Sequence, residues 1–582
     1  MSPFGETMTD LTKFQKPARY TGGEYGACEM KENASNFCMC FPDVYEVGMS
    51  NLGTRILYYA LNETDYANCE RCYSPWVDYG DYLKQQQEPL CSLERHKPLK
   101  EFDAIGFSLQ YELSYSNVLY MLDLAGIPLE AAERGEDFPI VAAGGPCAVN
   151  PEPLADFIDV FLIGEGETSL KEFMQVLHER KGAEKSEILK ELAKIEGAYV
   201  PSVFQASDKV LRRWERNLDQ TFFPHCAIVP NIEIVHDRAI AELYRGCANG
   251  CRFCQAGFIY RPVRNRSVES LEKISTDLLR FTGYDELSLN SLSTGDYPWL
   301  GELIERLQPL VDERGVKLAL PSLRLDSYSK DWLQSERKGS LTFAPEAGTQ
   351  RLRDAINKNI TEQDIFDSLS QAFSVGYSAI KLYFMMGLPT ETEQDIEGIS
   401  LLTEQIRKLY QSVRGKRDLK LSLSVATFIP KPFTPFQWEA FADRADIDAK
   451  QAILKEKLRG KHVSFAYHDY EASFLEAVFA RGDRRLGRVL KLAYEYGAKF
   501  DGWSELFRPE LYFRAAEETG TDLKDFVRLR DVTETLPWDF VDVGITKEFL
   551  KKEKEKAYRA ETTYSCSKRC NLCGLEKEGV CR

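Results

Sequence analysis

Histidine is scarce in this chain, six residues in 582, and no two stand at a metal-binding spacing; His462 and His468 read as structural or solvated. Long apolar runs are missing too. None approaches the ~20 residues that cross a bilayer. The first residues, MSPFGETMTDLTKFQ, lack the basic-then-apolar pattern of a secretory signal. These absences predict a cytoplasmic protein with no membrane partner. Positive charge is in deficit, 74 Lys and Arg against 90 Asp and Glu, for a net charge of −16. That weighs against a protein that coats nucleic acid, which needs a basic face. Internal repeats and low-complexity linkers are absent. The cysteines number fifteen, an odd count. Without a secretory signal, an odd count argues against a disulfide framework. What remains is their placement: six fall in two tight groups, at 247–254 and 566–573.

At roughly 100–200 residues per domain, the length predicts three or four domains. Residues 1–20 read as a flexible start. Residues 21–225 alternate strand and helix patterns (FCMCFPDVYEVGM, FDAIGFSLQ, FPIVAAGGP, DVFLIGEGE) and end in a helical linker over 168–200, which predicts a parallel, Rossmann-like sheet. A second α/β series fills 226–440. Counting the strand before Cys247, its strands and helices fit about six βα units, fewer than the eight of a closed barrel, so a partial (β/α)6 barrel is expected. Residues 441–560 read as a mainly helical extension, and 561–582 as a cysteine-rich tail.

The first cysteine group, RGCANGCRFCQAG, places Cys247, Cys251 and Cys254 at C-x3-C-x2-C between a strand and a helix. Four protein ligands are usual for zinc or an iron–sulfur cube. Three leave one iron free for an outside ligand, and the competing reading is a zinc knuckle with a distant fourth ligand. The arrangement resembles the radical SAM superfamily. The resemblance implies a 4Fe–4S cluster whose free iron binds S-adenosylmethionine, and a one-electron cleavage of that molecule to a 5′-deoxyadenosyl radical. It also implies a low-potential electron donor such as flavodoxin or ferredoxin. Asp296 in STGDY, Arg324 in PSLRLDS, Glu346 in FAPEAGTQ and Gly387 in MMGLP follow at strand C-termini, where barrel sites lie, and are the expected contacts of S-adenosylmethionine. The alternative for the charged ones is a solvated loop or ion pair, and for Gly387 a turn.

In the N-terminal part, Asp43, Tyr45 and Gly48 form D-x-Y-x-x-G, followed by Ser108 and by Gly144 and Gly145. This order resembles the cobalamin-binding domain fused to many radical SAM enzymes, with Tyr45 where that family has a cobalt-ligating histidine. The resemblance implies cobalamin; the other reading is a Rossmann-like scaffold that binds nothing. The whole order, with FIPKPFTPFQW and WDFVDVGITKEFL, is similar to an uncharacterised family of cobalamin-binding radical SAM proteins. It implies the cofactors and hardly the substrate: with cobalamin bound, methyl transfer to an unactivated carbon is the natural reaction, with RNA, protein and small molecules all open as substrate.

The tail repeats C-x3-C-x2-C at Cys566, Cys570 and Cys573, with Cys581 as a fourth. An auxiliary 4Fe–4S cluster, a structural zinc and unligated thiols all fit. Lys568 and Arg569 suggest an RNA grip, against a solvated helix for the basic stretch from Lys547 to Arg569. Cys69 and Cys72 read as ordinary thiols. Methylthiotransferases, a related family, carry an extra cluster in this region, so Cys28, Cys38, Cys40, Cys69, Cys72 and Cys91 offer a cobalamin-free alternative of methylthiolation or rearrangement. A non-catalytic iron–sulfur sensor is the alternative of another class.

Overall fold

A computed structural model of the chain describes residues 10–205, 207–321 and 340–579. Arg324 and Cys581 lie outside the described residues. SNFCMCF carries apolar side chains on both faces and forms β1 (Ser35–Phe41), almost wholly buried. A central parallel strand, covered on both sides, has to read this way. It pairs in parallel with β2 (Ala67–Tyr73) and β3 (Ala104–Ser108), Phe37 lying opposite both Cys69 and Ala104. With β4 (Ile140–Gly144), β5 (Val160–Leu162) and β6 (Ala198–Tyr199), the sheet order is β2-β1-β3-β4-β5-β6; β6 alone runs antiparallel to its neighbour. The order reverses at β1. A crevice therefore opens at the carboxyl ends of β1 and β3, where doubly wound sheets take their ligands. The helices Leu52–Asn62 and Gly166–Glu179 share a core with Phe37 and Met39 on one face of the sheet. The helix Tyr115–Leu124 shares the other with Cys38 and Cys40.

After the two-residue strand β7 (Val210–Leu211) come β8 (Ala239–Glu242) and the antiparallel pair β9 (Tyr244–Arg245) and β10 (Arg264–Asn265). The second parallel system has two described parts. One has the order β12-β11-β8, with β11 (Glu286–Asn290) and β12 (Lys317–Ala319). The other runs β13 (Leu341–Glu346), β14 (Ala379–Met386), β15 (Lys420–Thr427) and β16 (Val463–Tyr467). Burial alternates along β14 and β15. Leu382, Phe384, Leu423 and Val425 pack under the outer helices Glu362–Ser374 and Glu393–Arg414. Tyr383, Ser422 and Ser424, on the opposite face, keep solvent access, which is the accessible concave side of an open barrel.

Two stretches differ from expectation. Val463–Tyr467, inside the expected helical extension, is a strand that adds a further parallel partner to β15. It is an edge strand and mostly exposed, so its sequence, HVSFAYHDY, lacks the apolar run of a central strand. The expected flexible start is structured from Leu11: short 3₁₀ turns span Leu11–Lys13 and Pro17–Tyr20, and buried Arg19 pairs with Glu46 at 2.8 Å.

The extension packs on the N-terminal sheet's helix. Ser116 Oγ donates to Asp501 at 2.5 Å and the Phe500 N–H to Asn117 at 2.7 Å. Val489 and Leu490 are fully buried in the core that holds Val118, each contributing about 1.5–3 kcal/mol by burial. β17 (Val541–Asp542) pairs with β7, fastening the extension to the chain between the two sheets.

Candidate active site

The cysteine loop leaves β9 and returns at β10, so a two-residue ladder closes its base. Gly246 opens it at φ +89°, where a Cβ would meet the carbonyl oxygens of Pro262 at 2.5 Å and Tyr260 at 2.8 Å; only glycine passes there. Cys251 is buried, and Cys247 and Cys254 are partly so. The Arg252 side chain is buried. It donates to the carbonyls of Ala355 (2.8 Å) and Glu561 (2.8 Å) and pairs with Glu553 at 3.0 Å. Asn357 Nδ2 donates to the Gly250 carbonyl at 3.0 Å. The loop's shape is thus set by protein contacts.

Burial pushes the Cys254 thiol up to about 12, helped by the neighbouring Cys251 and Cys247 and opposed by the Gly257 N–H. A thiol so placed gives up its proton to a metal cation rather than to water. Among the described residues no three Cys, His, Asp or Glu side chains gather around one point as a single metal ion requires. A cubane asks for something different, since each thiolate holds its own iron.

Asn249 joins this loop to the barrel. Its Nδ2 donates to Asp296 Oδ2 at 2.8 Å and lies 3.8 Å from Cys247 Sγ. Asp296 itself lies in a 3₁₀ turn just beyond β11. Glu346 ends β13 at a bulge, with φ +67°, and pairs with Lys358 at 2.9 Å; Lys358 in turn lies close enough to Cys254 to favour its thiolate. The structure therefore brings Asp296 and Glu346 to the rim of the cysteine loop. Gly387 is accounted for by a turn: φ is +81°, its N–H donates to Glu391 at 2.7 Å, and a Cβ would press on Ala442 and Ile447.

A cavity of about 450 Å³ lies between the carboxyl ends of the N-terminal strands and the base of the cysteine loop, within the usual range for small-molecule sites. Ser108 and Gly144–Gly145 line one side; Tyr244, Arg245 and Gly246 line the other. Gly145, at φ +105°, passes so close to the Leu109 carbonyl that a Cβ would meet it at 2.6 Å. The other half of the D-x-Y-x-x-G pattern is elsewhere. Asp43 accepts a hydrogen bond from Trp503 Nε1 at 3.0 Å. Tyr45 is buried, donates to Glu24 at 2.9 Å, and lies edge-on to Tyr73. Gly48 is packed under the Tyr73 ring. None of the three lines the cavity. The expectation that they share a site with Ser108 and the glycines is corrected here: a larger, uncharged ring at position 45 finds its partners in the core.

Sequence reasoning missed the charges that join the two halves. Arg245, next to the cysteine loop, pairs with Glu242 (2.9 Å), Glu167 (2.5 Å) and Glu165 (3.3 Å). Arg264 holds Glu165 at 2.7 Å, and Arg266 holds Glu242 at 3.2 Å. Burial would raise Glu165, but Arg245 and Arg264 outweigh it and hold the carboxyl below its usual value. Burial wins at Glu167, which is raised despite Arg245. The signal was in the sequence: GEGE at 164–167 and Arg245, just before the first cysteine loop's glycine, carry opposite charge and meet at the wall of one cavity.

Cys38, Cys40, Cys69 and Cys72 lie fully inside the first sheet's core, and burial pushes each thiol up. They are core thiols rather than ready thiolates. In the tail, Cys573 is buried, Cys566 partly buried and Cys570 exposed.

Residues 53–201 match the family described as radical SAM proteins, N-terminal, and residues 241–402 match the radical SAM superfamily. The chain belongs to the radical SAM superfamily and is an enzyme of that class, which sets aside the non-catalytic reading. Its relatives include the uncharacterized protein MJ0966 of Methanocaldococcus jannaschii, 30% identical over 458 residues that cover 78% of this chain and 90% of that one. The ribosomal protein uS12 methylthiotransferase RimO of Thermoanaerobacter sp. is 21% identical over 237 residues, 38% of this chain and 54% of RimO. Among solved structures, the radical S-adenosylmethionine methyltransferase TsrM of Kitasatospora setae, bound to tryptophan and a SAM analogue, shares the fold at a TM-score of 0.50 and 11% identity. That match covers 84% of this chain and 100% of TsrM. No helix among the described residues is long and apolar enough to cross a membrane.

Proposed function

We propose that the protein is a cobalamin-dependent radical SAM methyltransferase acting on an unactivated carbon. The observation that carries this reading is the shared cavity: the glycine-lined ends of β3 and β4 face the base of the cysteine loop across one space. Cys247, Cys251 and Cys254 hold the SAM cluster in this reading. Bound there, S-adenosylmethionine supplies a 5′-deoxyadenosyl radical, and cobalamin in the cavity supplies a methyl carrier. The chain's own residues place and shield these groups. Asn249 and Asp296 orient S-adenosylmethionine at the loop, with Glu346 on the far rim. Ser108, Gly144 and Gly145 leave room for the cofactor's tail. The Glu165–Arg245–Glu167 network would hold the end of the N-terminal sheet against the base of the cysteine loop. Tyr45, buried and bonded to Glu24, would not be among the residues that hold the cofactor. The fold shared with TsrM, a methyltransferase, supports the reading.

The likeness to RimO favours methylthiolation as a second reading. It finds less support in the structure, because four of the six N-terminal cysteines that would hold an extra cluster, Cys38, Cys40, Cys69 and Cys72, are core thiols, and only Cys28 and Cys91 are partly exposed.

The test uses protein reconstituted anaerobically with iron and sulfide, dithionite as reductant, and S-adenosylmethionine, with and without added cobalamin. Methyl transfer through cobalt consumes one S-adenosylmethionine as methyl donor, so S-adenosylhomocysteine should accompany 5′-deoxyadenosine only when cobalamin is present. Formation of 5′-deoxyadenosine alone in both samples would point to cobalamin-free chemistry.

A further inference from the structure

The second cysteine group begins where the first is touched. The Cys566 N–H donates to the Ala248 carbonyl at 2.9 Å, one residue from Cys247. Ser565 Oγ donates to the same carbonyl at 3.3 Å. Asn357 bridges both loops: its Nδ2 donates to Gly250 while its Oδ1 accepts the Thr563 N–H at 2.7 Å. Buried Glu553 does the same with charge, pairing with Arg252 at 3.0 Å and accepting from Thr563 Oγ1 at 2.8 Å. At the far end, the carbonyl of buried Cys573 accepts the Thr546 N–H at 2.9 Å. The loop Cys566–Cys573 is therefore held at both ends. Its middle, Lys568, Arg569, Cys570 and Leu572, faces solvent. Tyr564 and Leu572 are among the most exposed large apolar side chains among the described residues, at 65% and 69%. A basic and apolar surface thus surrounds an exposed thiol on a chain whose net charge is −16.

We infer that Cys566, Cys570 and Cys573 hold a second iron–sulfur cluster, and that the electron for S-adenosylmethionine cleavage enters the protein there from an acidic, low-potential electron carrier. The bookkeeping is one electron. A reduced flavodoxin or ferredoxin is oxidised by one electron, which passes through the second cluster to the first. S-adenosylmethionine takes it up, its C5′–S bond breaks, and methionine and the 5′-deoxyadenosyl radical result. The backbone contact between Cys566 and Ala248 keeps the two centres near each other, and Lys568 and Arg569 give the carrier a complementary face.

This inference rests on the radical SAM chemistry and not on cobalamin, so cobalt content in the same samples tests the methyl-transfer reading separately. The test compares the full-length chain with its Cys566→Ser/Cys570→Ser variant, both reconstituted with ferrous iron and sulfide. The variant should hold about four fewer irons per chain. The reduced wild-type protein should show two electron-paramagnetic signals, one changed by S-adenosylmethionine and one not, and the variant should lose the second. The ratio of flavodoxin-driven to dithionite-driven 5′-deoxyadenosine should fall by about tenfold or more. Lys568→Glu/Arg569→Glu should keep the iron and lower the same ratio, with a weaker dependence on salt than wild type; this variant also stands if the serine variant fails to fold. Equal iron in wild type and serine variant, zinc in place of the second set of irons, or an unchanged ratio after loss of four irons would overturn the inference.

Discussion

The two C-x3-C-x2-C loops are alike in spacing and unlike in setting. At 247–254 the loop is closed by β9 and β10, Cys251 is buried, and Cys254 is desolvated enough to push its thiol up to about 12. At 566–573 the loop follows a helix, and Cys570 is exposed. Each keeps one asparagine amide near its first sulfur: Asn249 lies 3.8 Å from Cys247 Sγ, and Asn571 lies 3.6 Å from Cys566 Sγ. Only Asn249 also reaches a barrel carboxylate, at Asp296. Spacing sets how many thiolates a loop can offer. Packing decides how far each thiol is withdrawn from solvent: Cys251 is buried in the first loop, and Cys570 is exposed in the second.

The strongest way to break this pairing is Arg252→Ala. It removes the guanidinium shared by Glu553 and the Ala355 and Glu561 carbonyls, while Lys556 still pairs with Glu553 at 2.7 Å, so the cost is about 1–3 kcal/mol. Chemical denaturation should show that loss, and limited proteolysis should cut the tail after 560 far faster than in wild type. Arg252→Lys should rescue little, because one ammonium cannot reach the Ala355 and Glu561 carbonyls together with Glu553. An unchanged denaturation midpoint would mean the tail is anchored elsewhere.

Asn249→Ala sharpens the difference between the loops. Losing the bond to Asp296 should raise the KM for S-adenosylmethionine by about tenfold, equivalent to about 1.4 kcal/mol, with a smaller fall in kcat. Asn571→Ala lacks a barrel partner and should leave that KM within about twofold of wild type. Equal effects from both would remove the functional distinction drawn here.

The smallest expected effect concerns pH. Burial would raise Glu553, but Lys556, Arg252 and Thr563 outweigh it and hold the carboxyl below the ordinary glutamate value of 4.5. A depressed folded-state value stabilises the protein above 4.5, and that contribution fades as pH falls through the lower, folded-state value. In metal-free protein, protection of the tail from proteolysis should hold from neutral pH down to about 4.5 and weaken below it. Glu553→Gln should flatten that dependence; a tail equally protected at every pH in both proteins would contradict it.

Much of this was legible in the sequence, for reasons that can be named. The parallel strands β1, β3 and β4 are short apolar runs ending in small residues, and the first cysteine loop announces itself by ligand spacing alone. β16 was not legible, because an exposed edge strand carries a mixed pattern that helix and loop also carry. Tyr45 was read by position in a motif, yet its partners Glu24 and Tyr73 come from distant segments, which no local pattern reveals. The docking of Cys566 on Ala248 joins residues far apart in the chain. Nothing in either loop's spacing encodes that contact; it follows from Arg252, Asn357 and Glu553, each unremarkable in sequence and buried in the fold.

The most direct test of the central claim is cobalt per chain in protein purified without oxygen from cells supplied with cobalamin. A cavity that holds the cofactor between the glycine turn and the cysteine loop predicts about one cobalt per chain, retained through gel filtration. Cobalt absent from protein that carries its full complement of iron would contradict it and leave the N-terminal sheet as a scaffold.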